Sequence, residues 1–212
     1  MVITEDNVAS KTLLNAAYNI ENKDDAKRLY DDWAAGYADE MAANGYAAPA
    51  RTADALAKYA ADKAAPVLDL GCGAGLSGAA LGDAGFSTVD GADFAPRMLK
   101  AAAERGVYRD LVLTDLSDPL PGAPDQYANM CAVGVFSPGH APASLIAKVM
   151  KALPRGGCFA FTLNEHAMKD AEYGCWMREL LDTGYASLLF KELGPHVPGI
   201  GLQAEVWVIR RS

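Results

Sequence analysis

The hydrophobic residues in the first third of the chain recur at helical intervals. Between residues 24 and 43 they are spaced three and four apart, so they share one face of a helix that Asn44-Gly45 would end. A second helix is predicted over residues 51–64, and Pro66 follows it at the start of a strand. The apolar face of the first helix comprises Ala26, Leu29, Tyr30, Trp33, Tyr37 and Met41.

Strand and helix patterns alternate from residue 67 onward, which predicts right-handed βαβ crossovers and a parallel sheet covered on both faces. After Gly184 the alternation stops, and residues 187–192 and 202–209 are two extended segments joined by a Gly/Pro-rich loop. These segments predict an antiparallel hairpin. The predicted strands lie near 67–70, 87–92, 111–114, 127–133 and 158–163, and the predicted helices near 76–83, 95–105, 142–153 and 167–183.

The first predicted strand ends in an acid and then in alternating glycines, D-L-G-C-G-A-G over residues 69–75. Glycines at this point allow a sharp turn into a helix and let a ligand approach bare backbone. Dinucleotide-binding turns read G-x-G-x-x-G, which would require a glycine at position 76, where this chain has Leu76. Asp69 could instead meet a cationic amino group of a different ligand.

Two further acids follow predicted strands. Asp93 comes at the end of the second strand, where a carboxylate can accept from both hydroxyls of a ribose; alternatively, it caps the helix that begins near Ala95. Asp115 comes at the end of the third strand, where a ligand contact competes with a simple Asx turn.

Four motifs in order resemble those of the class I S-adenosylmethionine (SAM) methyltransferases. They are D-L-G-C-G-A-G at 69–75, G-A-D-F-A-P-R-M-L at 91–99, Asp115-Leu116, and L-P-R-G-G at 153–157. Ala95 and Arg155 stand where the family commonly has serine and proline. The resemblance implies a Rossmann-like, doubly wound α/β fold, with a mostly parallel seven-stranded sheet, an antiparallel C-terminal hairpin and an N-terminal helical cap.

The resemblance also implies SAM as the methyl donor and S-adenosylhomocysteine as the product. Asp93 would then bind the ribose, Asp115 and Leu116 the adenine, and Val133 the methionine arm. The full set of cofactor-binding residues that it implies is Asp69, Gly71, Cys72, Gly73, Gly75, Asp93, Phe94, Met98, Asp115, Leu116, Val133, Trp33 and Tyr37.

The N-terminal segment resembles the equivalent region of small-molecule methyltransferases, in particular the Williams–Beuren syndrome methyltransferase-like group, through Y-D-D-W-A at 30–34 and Tyr37. We therefore expect a cap over residues 1–50 and a methyltransferase domain over residues 51–212. Trp33 and Tyr37 lie four apart on one helical face and could close over a sulfonium; alternatively, they are core contacts.

Candidate bases and acceptor contacts follow the fourth and fifth strands or lie in the cap. His140 is the first candidate for a general base, although a histidine in a loop is also often a solvated or capping residue. No metal site is expected. The candidate acceptor contacts are Tyr30, Tyr46, Phe136, Glu165 and His166.

Composition narrows the class of acceptor. The formal net charge of −8 over 212 residues argues against nucleic acid as a partner, and no apolar run is long enough to span a membrane.

The cysteines at 72, 131, 158 and 175 form no C-x-x-C pair and are expected to be reduced and structural. The N-terminus has no signal-peptide pattern, so a cytoplasmic location is expected. The sequence gives no indication of oligomeric state.

The sequence therefore predicts a SAM-dependent methyltransferase acting on an oxygen, nitrogen or sulfur atom of a small molecule. No N-P-P-Y or D-P-P-Y tetrapeptide follows the fourth strand, so the chain does not resemble enzymes that methylate amide or adenine nitrogens. A nucleotide-dependent oxidoreductase and a SAM-binding protein without transferase activity are the alternatives.

Overall fold

The predicted alternation of strands and helices is present in the structure, a computed structural model that describes residues 13–14, 16–17, 20, 23–137 and 140–212. Part of the predicted cap, including residues 1–12, lies outside the described residues. The strands are β1 (Val67–Leu70), β2 (Val89–Asp93), β3 (Asp110–Leu113), β4 (Asn129–Phe136), β5 (Cys158–Asn164), β6 (Ala186–Val197) and β7 (Leu202–Arg211). The main helices are α1 (Lys23–Ala43), α2 (Ala48–Tyr59), α3 (Leu76–Asp83), α4 (Pro96–Glu104), α5 (Ser144–Ala152), α6 (Glu165–Lys169) and α7 (Ala171–Asp182).

The seven strands form one sheet in the order β3-β2-β1-β4-β5-β7-β6. Neighbouring strands from β3 to β5 run parallel, whereas β7 runs antiparallel to both β5 and β6. The chain order reverses between β1 and β4, and in such sheets ligands bind outside the carboxyl ends of the strands at this reversal. The predicted fold class is confirmed.

The core lies on both faces of the sheet, and the central strands β1 and β5 are buried along their whole length. On one face Phe136, Phe159 and Phe161 pack against Tyr173 and Trp207. The other face is covered by α2 and α3. Cys72, Cys131 and Cys158 are buried, Cys175 is exposed, and all four are free thiols. No helix in the described part of the chain is both long and apolar enough to cross a membrane.

Two predicted helices have different bounds in the structure. The helix predicted over residues 51–64 spans Ala48–Tyr59, since Pro49 is compatible with a first turn and Ala60 is extended with ψ 126°. The single helix predicted over residues 167–183 is two helices. Asp170 is extended between them and accepts a hydrogen bond from the Glu172 N–H, so it caps α7.

The Gly/Pro-rich loop predicted before β7 is largely strand. β6 continues through Gly194 and Pro195 to Val197, and only Pro198–Ile200 forms a 3₁₀ turn. A proline is tolerated because β6 is the edge strand of the sheet. The guanidinium of Arg51 also donates to the carbonyls of Glu192 and Pro195, which holds this irregular stretch against α2.

A bulge in β4 shapes the carboxyl end of the sheet. The register between β4 and β5 shifts between Ala132 and Phe136, and Gly134 within it has φ 71°. Its N–H donates to Thr162 Oγ1 at 2.8 Å instead of to a strand carbonyl. Such bulges redirect the side chains that follow.

The helix α1 covers this end of the sheet by packing on α4. The Arg97 N–H lies in the first turn of α4, where it has no acceptor within the helix. It donates instead to Asp31 Oδ1 at 3.0 Å. Tyr30 contacts the Phe94 ring edge-on, with centroids 6.3 Å apart. The cap helix is thus fixed over the end of β2.

Replacing Phe161 by alanine tests the core on the first face. The ring is fully buried between Phe159 and Trp207, at centroid distances of 4.8 and 6.3 Å, so Phe161→Ala is expected to destabilise the protein by about 3–5 kcal/mol in urea unfolding. The control Leu188→Ala removes a side chain that is 44% exposed and should change stability by less than about 0.5 kcal/mol. Equal effects of the two substitutions would contradict the packing described.

Candidate functional site

The glycine turn after β1 lies against the backbone of β2 and the side chains of β4. The N–H groups of Gly71 and Cys72 both donate to the Ala92 carbonyl, at 2.7 and 3.1 Å. Gly71 has φ 68°, and a Cβ there would lie 2.5 Å from Val135 Cγ2. A side chain at Gly71 would therefore clash in a backbone conformation that already favours glycine.

The carboxylate of Asp93 ties this turn to the next helix. Its Oδ2 accepts from the Gly73 N–H and its Oδ1 from the Ala95 N–H, both at 2.9 Å. Ala95 itself is the N-cap residue of α4, so Asp93 does not cap that helix. The side chain bridges two loops at the carboxyl ends of β1 and β2.

Burial raises the pKa of Asp93 to about 6, because desolvation outweighs the two backbone hydrogen bonds, which favour the charged form. The pKa of the Asp93 carboxyl is thus higher in the folded protein than in the unfolded chain. The stability of the protein therefore falls as the pH rises from 3.8 through about 6. The free protein thus holds Asp93 ionised at neutral pH at a cost in stability, which is common for groups that contact ligands.

The carboxylate of Asp69 lies behind the turn. It is fully buried and accepts hydrogen bonds from Ser77 Oγ at 2.6 Å, Tyr108 OH at 2.8 Å and Cys131 Sγ at 3.2 Å. Burial raises its pKa, and the three hydrogen bonds oppose this rise. Asp69 does not line the cavity described next, and its bonds connect the turn to α3, β4 and the loop before β3.

A cavity of about 790 Å³ opens at the carboxyl ends of β1, β2 and β4. The predicted cofactor-binding residues that line it are Tyr37, Gly71, Gly73, Asp93, Phe94, Met98, Asp115, Leu116 and Val133. Its further lining residues are Ala26, Tyr30, Ser117, Gly134, Val135, His140, Ala141 and Pro142.

Asp115 forms the Asx turn that was the alternative to a ligand contact, and it also lines the cavity. Its Oδ1 accepts from the Ser117 N–H at 2.8 Å and from Ser117 Oγ at 2.7 Å, which is an Asx turn. The turn fixes the carboxylate at the rim of the cavity, beside Leu116. The two interpretations of Asp115 are thus compatible.

Aromatic rings from α1 form one wall of the cavity. Tyr30 stacks on Trp33 at 6.2 Å, and Trp33 meets Tyr37 edge-on at 4.8 Å. Tyr30 and Tyr37 line the cavity, whereas Trp33 lies behind them.

His140 connects the loop after β4 to this aromatic wall. Its Nε2 lies 2.9 Å from the Tyr30 hydroxyl and its Nδ1 lies 2.8 Å from Ser137 Oγ. With both ring nitrogens engaged, the imidazole is held in one orientation at the cavity surface. Because Nε2 is already bonded to the Tyr30 hydroxyl, which lines the cavity, a proton from a bound molecule would reach the ring through that hydroxyl.

Several predicted site residues lie away from the cavity. Phe136 is buried in the aromatic core, and Glu165 and His166 begin α6, where Glu165 Oε1 accepts from the Gln203 N–H at 3.3 Å. Cys72 is buried under the turn, and Gly75 is the N-cap of α3 with φ 85°. These residues support the structure around the site.

A second, smaller cavity of about 350 Å³ adjoins the first and includes the predicted acceptor contact Tyr46. It also includes His196, which lies in the Gly/Pro-rich segment that the sequence predicted to be a loop. Alternation of apolar and polar residues is broken there by Gly194 and Pro195, so no strand pattern pointed to His196. Tyr30, Tyr37, Gly134 and His140 line both cavities.

Comparison with known proteins agrees with this architecture. A family model described as a methyltransferase domain matches residues 67–157. Methyltransferase-like protein 27 of Homo sapiens is 32% identical over 146 residues, which are 68% of this chain and 60% of that protein. The 18S rRNA (guanine-N(7))-methyltransferase of Bos taurus is 42% identical over 66 residues, which are 31% of this chain and 23% of that protein.

Among solved structures, the complex of the Haloferax volcanii Trm112 methyltransferase activator with a putative methyltransferase matches with a TM-score of 0.63. The identity is 18%, over 84% of this chain and 96% of that one, so this likeness concerns the fold. The fold and the matched motifs show that this chain carries a class I SAM-dependent methyltransferase domain. The match to this chain spans 60% of the length of the human relative and 23% of the length of the bovine one.

Tyr108 offers a test of the network behind the glycine turn. Its hydroxyl donates to Asp69 and accepts from the Gly78 N–H at 3.0 Å, so Tyr108→Phe leaves both groups short of a partner. We expect a loss of about 1–3 kcal/mol in denaturant unfolding. Tyr185→Phe, at a 37% exposed ring, is the matched control and should be near neutral. An unchanged stability of Tyr108→Phe would show that the network does not support the turn.

Proposed function

We propose that this chain transfers the methyl group of SAM to an atom of a small-molecule acceptor, with the larger cavity binding the donor. The observation that supports this most strongly is the juxtaposition, in one cavity, of the glycine turn, two carboxylates and an aromatic wall. The division into a cap over residues 1–50 and a catalytic domain over residues 51–212 is part of the proposal.

The residues present fit the donor in both shape and charge. A Cβ at Gly71 would meet Val135, so the turn leaves room only for bare backbone beside the cavity. Asp93 would hold the ribose hydroxyls, and Asp115 with Leu116 would hold the adenine. Gly71, Gly73 and Val133 would hold the methionine arm, with Phe94 and Met98 beside the nucleoside. When bound, SAM supplies a methyl group on a positively charged sulfur, which favours aromatic faces such as those of Tyr30 and Tyr37.

The chain's own residues hold the acceptor beside the donor and accept its proton. The cap helix α1 closes one side of the cavity and excludes water, so the acceptor and donor are held together. We assign His140 as the group that receives the acceptor's proton. The proton reaches Nε2 through the Tyr30 hydroxyl bonded to that nitrogen, while Ser137 holds the ring through Nδ1. No covalent intermediate with the protein is needed.

A small-molecule acceptor is favoured over RNA by charge. The chain carries 27 acidic and 19 basic residues, whereas phosphate backbones are bound by basic surfaces. The rRNA-methylating relative matches over only 31% of this chain. RNA is nevertheless the acceptor that any assay of this protein should include.

Calorimetric titration with SAM, S-adenosylhomocysteine and NADH tests the donor first. Saturable binding of the first two without binding of NADH supports the proposal, and the reverse result would favour an oxidoreductase. Transfer of labelled methyl from SAM to a metabolite extract, with total RNA as a parallel acceptor, then separates an enzyme from a protein that only binds SAM.

Asp93→Ala is expected to weaken SAM binding at least about tenfold, because charge-assisted hydrogen bonds contribute roughly 1.5–3 kcal/mol each. The control is Asp118→Ala, which removes an exposed carboxylate outside the cavity lining. Titration calorimetry should give the control the affinity of the parent. Equal affinities for all three proteins would remove Asp93 from the site.

The raised pKa of Asp93 predicts a pH dependence of binding. As the pH falls below about 6, the carboxyl takes up a proton and loses the charge that attracts hydroxyl donors. The Kd for SAM should therefore rise about tenfold between about pH 7 and pH 5, one unit below the pKa. Asp93→Asn cannot titrate, so its weaker binding should stay flat over this range. A flat profile for the parent protein would argue against this contact.

His140→Ala tests proton acceptance. General bases contribute about 10²–10⁴-fold, so we expect kcat to fall at least a hundredfold on the identified acceptor while SAM binding, measured by calorimetry, is retained. His166→Ala, which changes a histidine outside both cavities, is the control and should keep the parent kcat. If His140→Ala turns over normally, the base assignment fails and the methyltransferase proposal stands.

A further inference from the structure

The loop after β3 carries part of the lining of the larger cavity. Asp115, Leu116 and Ser117 all line it. Because β3 is the edge strand of the sheet, no strand in the described part of the chain supports this loop on its outer side. The Thr114 N–H donates to the Asp93 carbonyl at 2.9 Å, and beyond this bond the chain leaves the sheet. The position of the loop therefore depends on contacts from other elements.

One side chain of α5 makes three such contacts. Lys148 Nζ donates to the backbone carbonyls of Leu116, Ser117 and Asp118, at 3.0, 2.9 and 2.8 Å respectively. An ammonium group has three N–H donors, so these bonds can use all of them. Most of the residues of α5 are buried in the core, which gives the lysine a fixed base. The side chain thus fastens the loop to the body of the protein.

Lys148 and Asp115 hold the same two peptide groups from opposite ends. In the peptide between Leu116 and Ser117, the carbonyl accepts from Lys148 and the N–H donates to Asp115 Oδ1 at 2.8 Å. In the next peptide, the Ser117 carbonyl accepts from Lys148 and the Asp118 N–H donates to the Asp115 carbonyl at 2.9 Å. The C=O and N–H of a trans peptide point in opposite directions, so each peptide plane is fixed at both ends.

This arrangement connects the lysine to the direction of a carboxylate in the cavity. The N–H and the hydroxyl of Ser117 both donate to Asp115 Oδ1 and so orient it. A positive charge at the carbonyl end of a peptide polarises the group and strengthens the hydrogen bond that its N–H makes. Lys148 lines neither cavity, so it acts on Asp115 through the backbone of Ser117.

A fixed carboxylate can distinguish one purine base from another. The amino group at C6 of adenine is a hydrogen-bond donor, whereas the carbonyl at C6 of hypoxanthine is an acceptor. A carboxylate only accepts, so a bound hypoxanthine would leave it without a partner and beside another oxygen. A carboxylate that is free to turn away avoids this cost and discriminates less.

We propose that Lys148 is a positioning residue of the donor site, which fixes the loop after β3 and thereby sets the preference for adenine over hypoxanthine at Asp115. This inference rests on the proposed binding of SAM in the larger cavity. Lys148 lies outside the lining of that cavity and takes no part in methyl transfer. Its replacement should therefore raise the KM for SAM and leave kcat unchanged.

Binding of two products that differ only in the base tests the inference without catalysis. They are S-adenosylhomocysteine and S-inosylhomocysteine, in which a carbonyl replaces the amino group at C6. Titration calorimetry of the parent protein should show the adenine compound binding at least about tenfold more tightly, the value of one hydrogen bond to a charged group.

Lys148→Met keeps the length of the side chain and removes its three donors. The affinity for S-adenosylhomocysteine should fall about fivefold, since water can replace part of the lost bonds at this partly exposed position. The affinity for S-inosylhomocysteine should change less than about twofold, because that compound gains little from an oriented carboxylate. A general loss of structure would weaken both compounds alike. Lys148→Arg restores a charged donor and should recover part of the preference.

Lys151→Met is the matched control, because it removes an exposed lysine of the same helix that lines neither cavity. Its affinities for both compounds should equal those of the parent. Amide hydrogen exchange followed by NMR gives a second comparison, in the absence of ligand. The N–H groups of Ser117 and Asp118 should exchange faster in Lys148→Met than in Lys151→Met, while those of β1 keep their rates.

Several results would overturn the inference. They are an unchanged preference in Lys148→Met, an equal loss of affinity for both compounds, and unchanged exchange of the Ser117 and Asp118 N–H groups. A parent protein that binds both compounds equally refutes base selection at Asp115 and leaves the proposed function standing. A parent protein that binds neither compound refutes both the inference and the proposed function.

Discussion

The buried carboxylate of Asp93 is the contact on which the site depends. It accepts from the N–H of Gly73 on one side and from that of Ala95 on the other, so it joins the glycine turn after β1 to the entry of α4. Both N–H groups would be costly to leave unpaired at this depth. The same residue lines the larger cavity, so the group that holds the turn also forms part of the cavity wall.

Asp69 complements Asp93 from the opposite side of the turn. Its bonds to Ser77, Tyr108 and Cys131 lock the turn to the helix and strand behind it. The glycine backbone is therefore fixed by carboxylates in front and behind. Rigid support of this kind is what a binding site for a flexible donor requires.

The arrangement of two adjoining cavities follows from the sheet order and one bulge. The reversal of strand order between β1 and β4 opens the larger cavity, and the bulge at Gly134 lets the smaller one meet it. The cap helix α1 then contributes Tyr30 and Tyr37 to both. The two cavities thus share a wall, and the acidic side chains of Asp93 and Asp115 line only the larger one.

Much of the fold and of the lining of the larger cavity could be predicted from the sequence. Short strand patterns alternate with helical ones and the cap helix has a clear helical period, so the positions of these elements followed from local pattern. Gly71, Gly73, Asp93 and Asp115 were predictable because their chemistry depends on their place at strand ends. The surroundings of Phe136 and Trp33 could not be predicted, because the spacing of apolar residues does not distinguish a side chain in the core from one at a cavity wall.

The sequence by itself determined the elements, their order and the glycine turn with its acids, since each depends on neighbours within a few residues. Only the tertiary structure decided which side of the turn Asp69 faces, that residues 194–197 extend an edge strand, and that His196 lies buried in the smaller cavity. These features depend on contacts between distant segments, such as Arg51 with β6 and Tyr46 with His196. The spacing of residues along the chain does not predict such contacts.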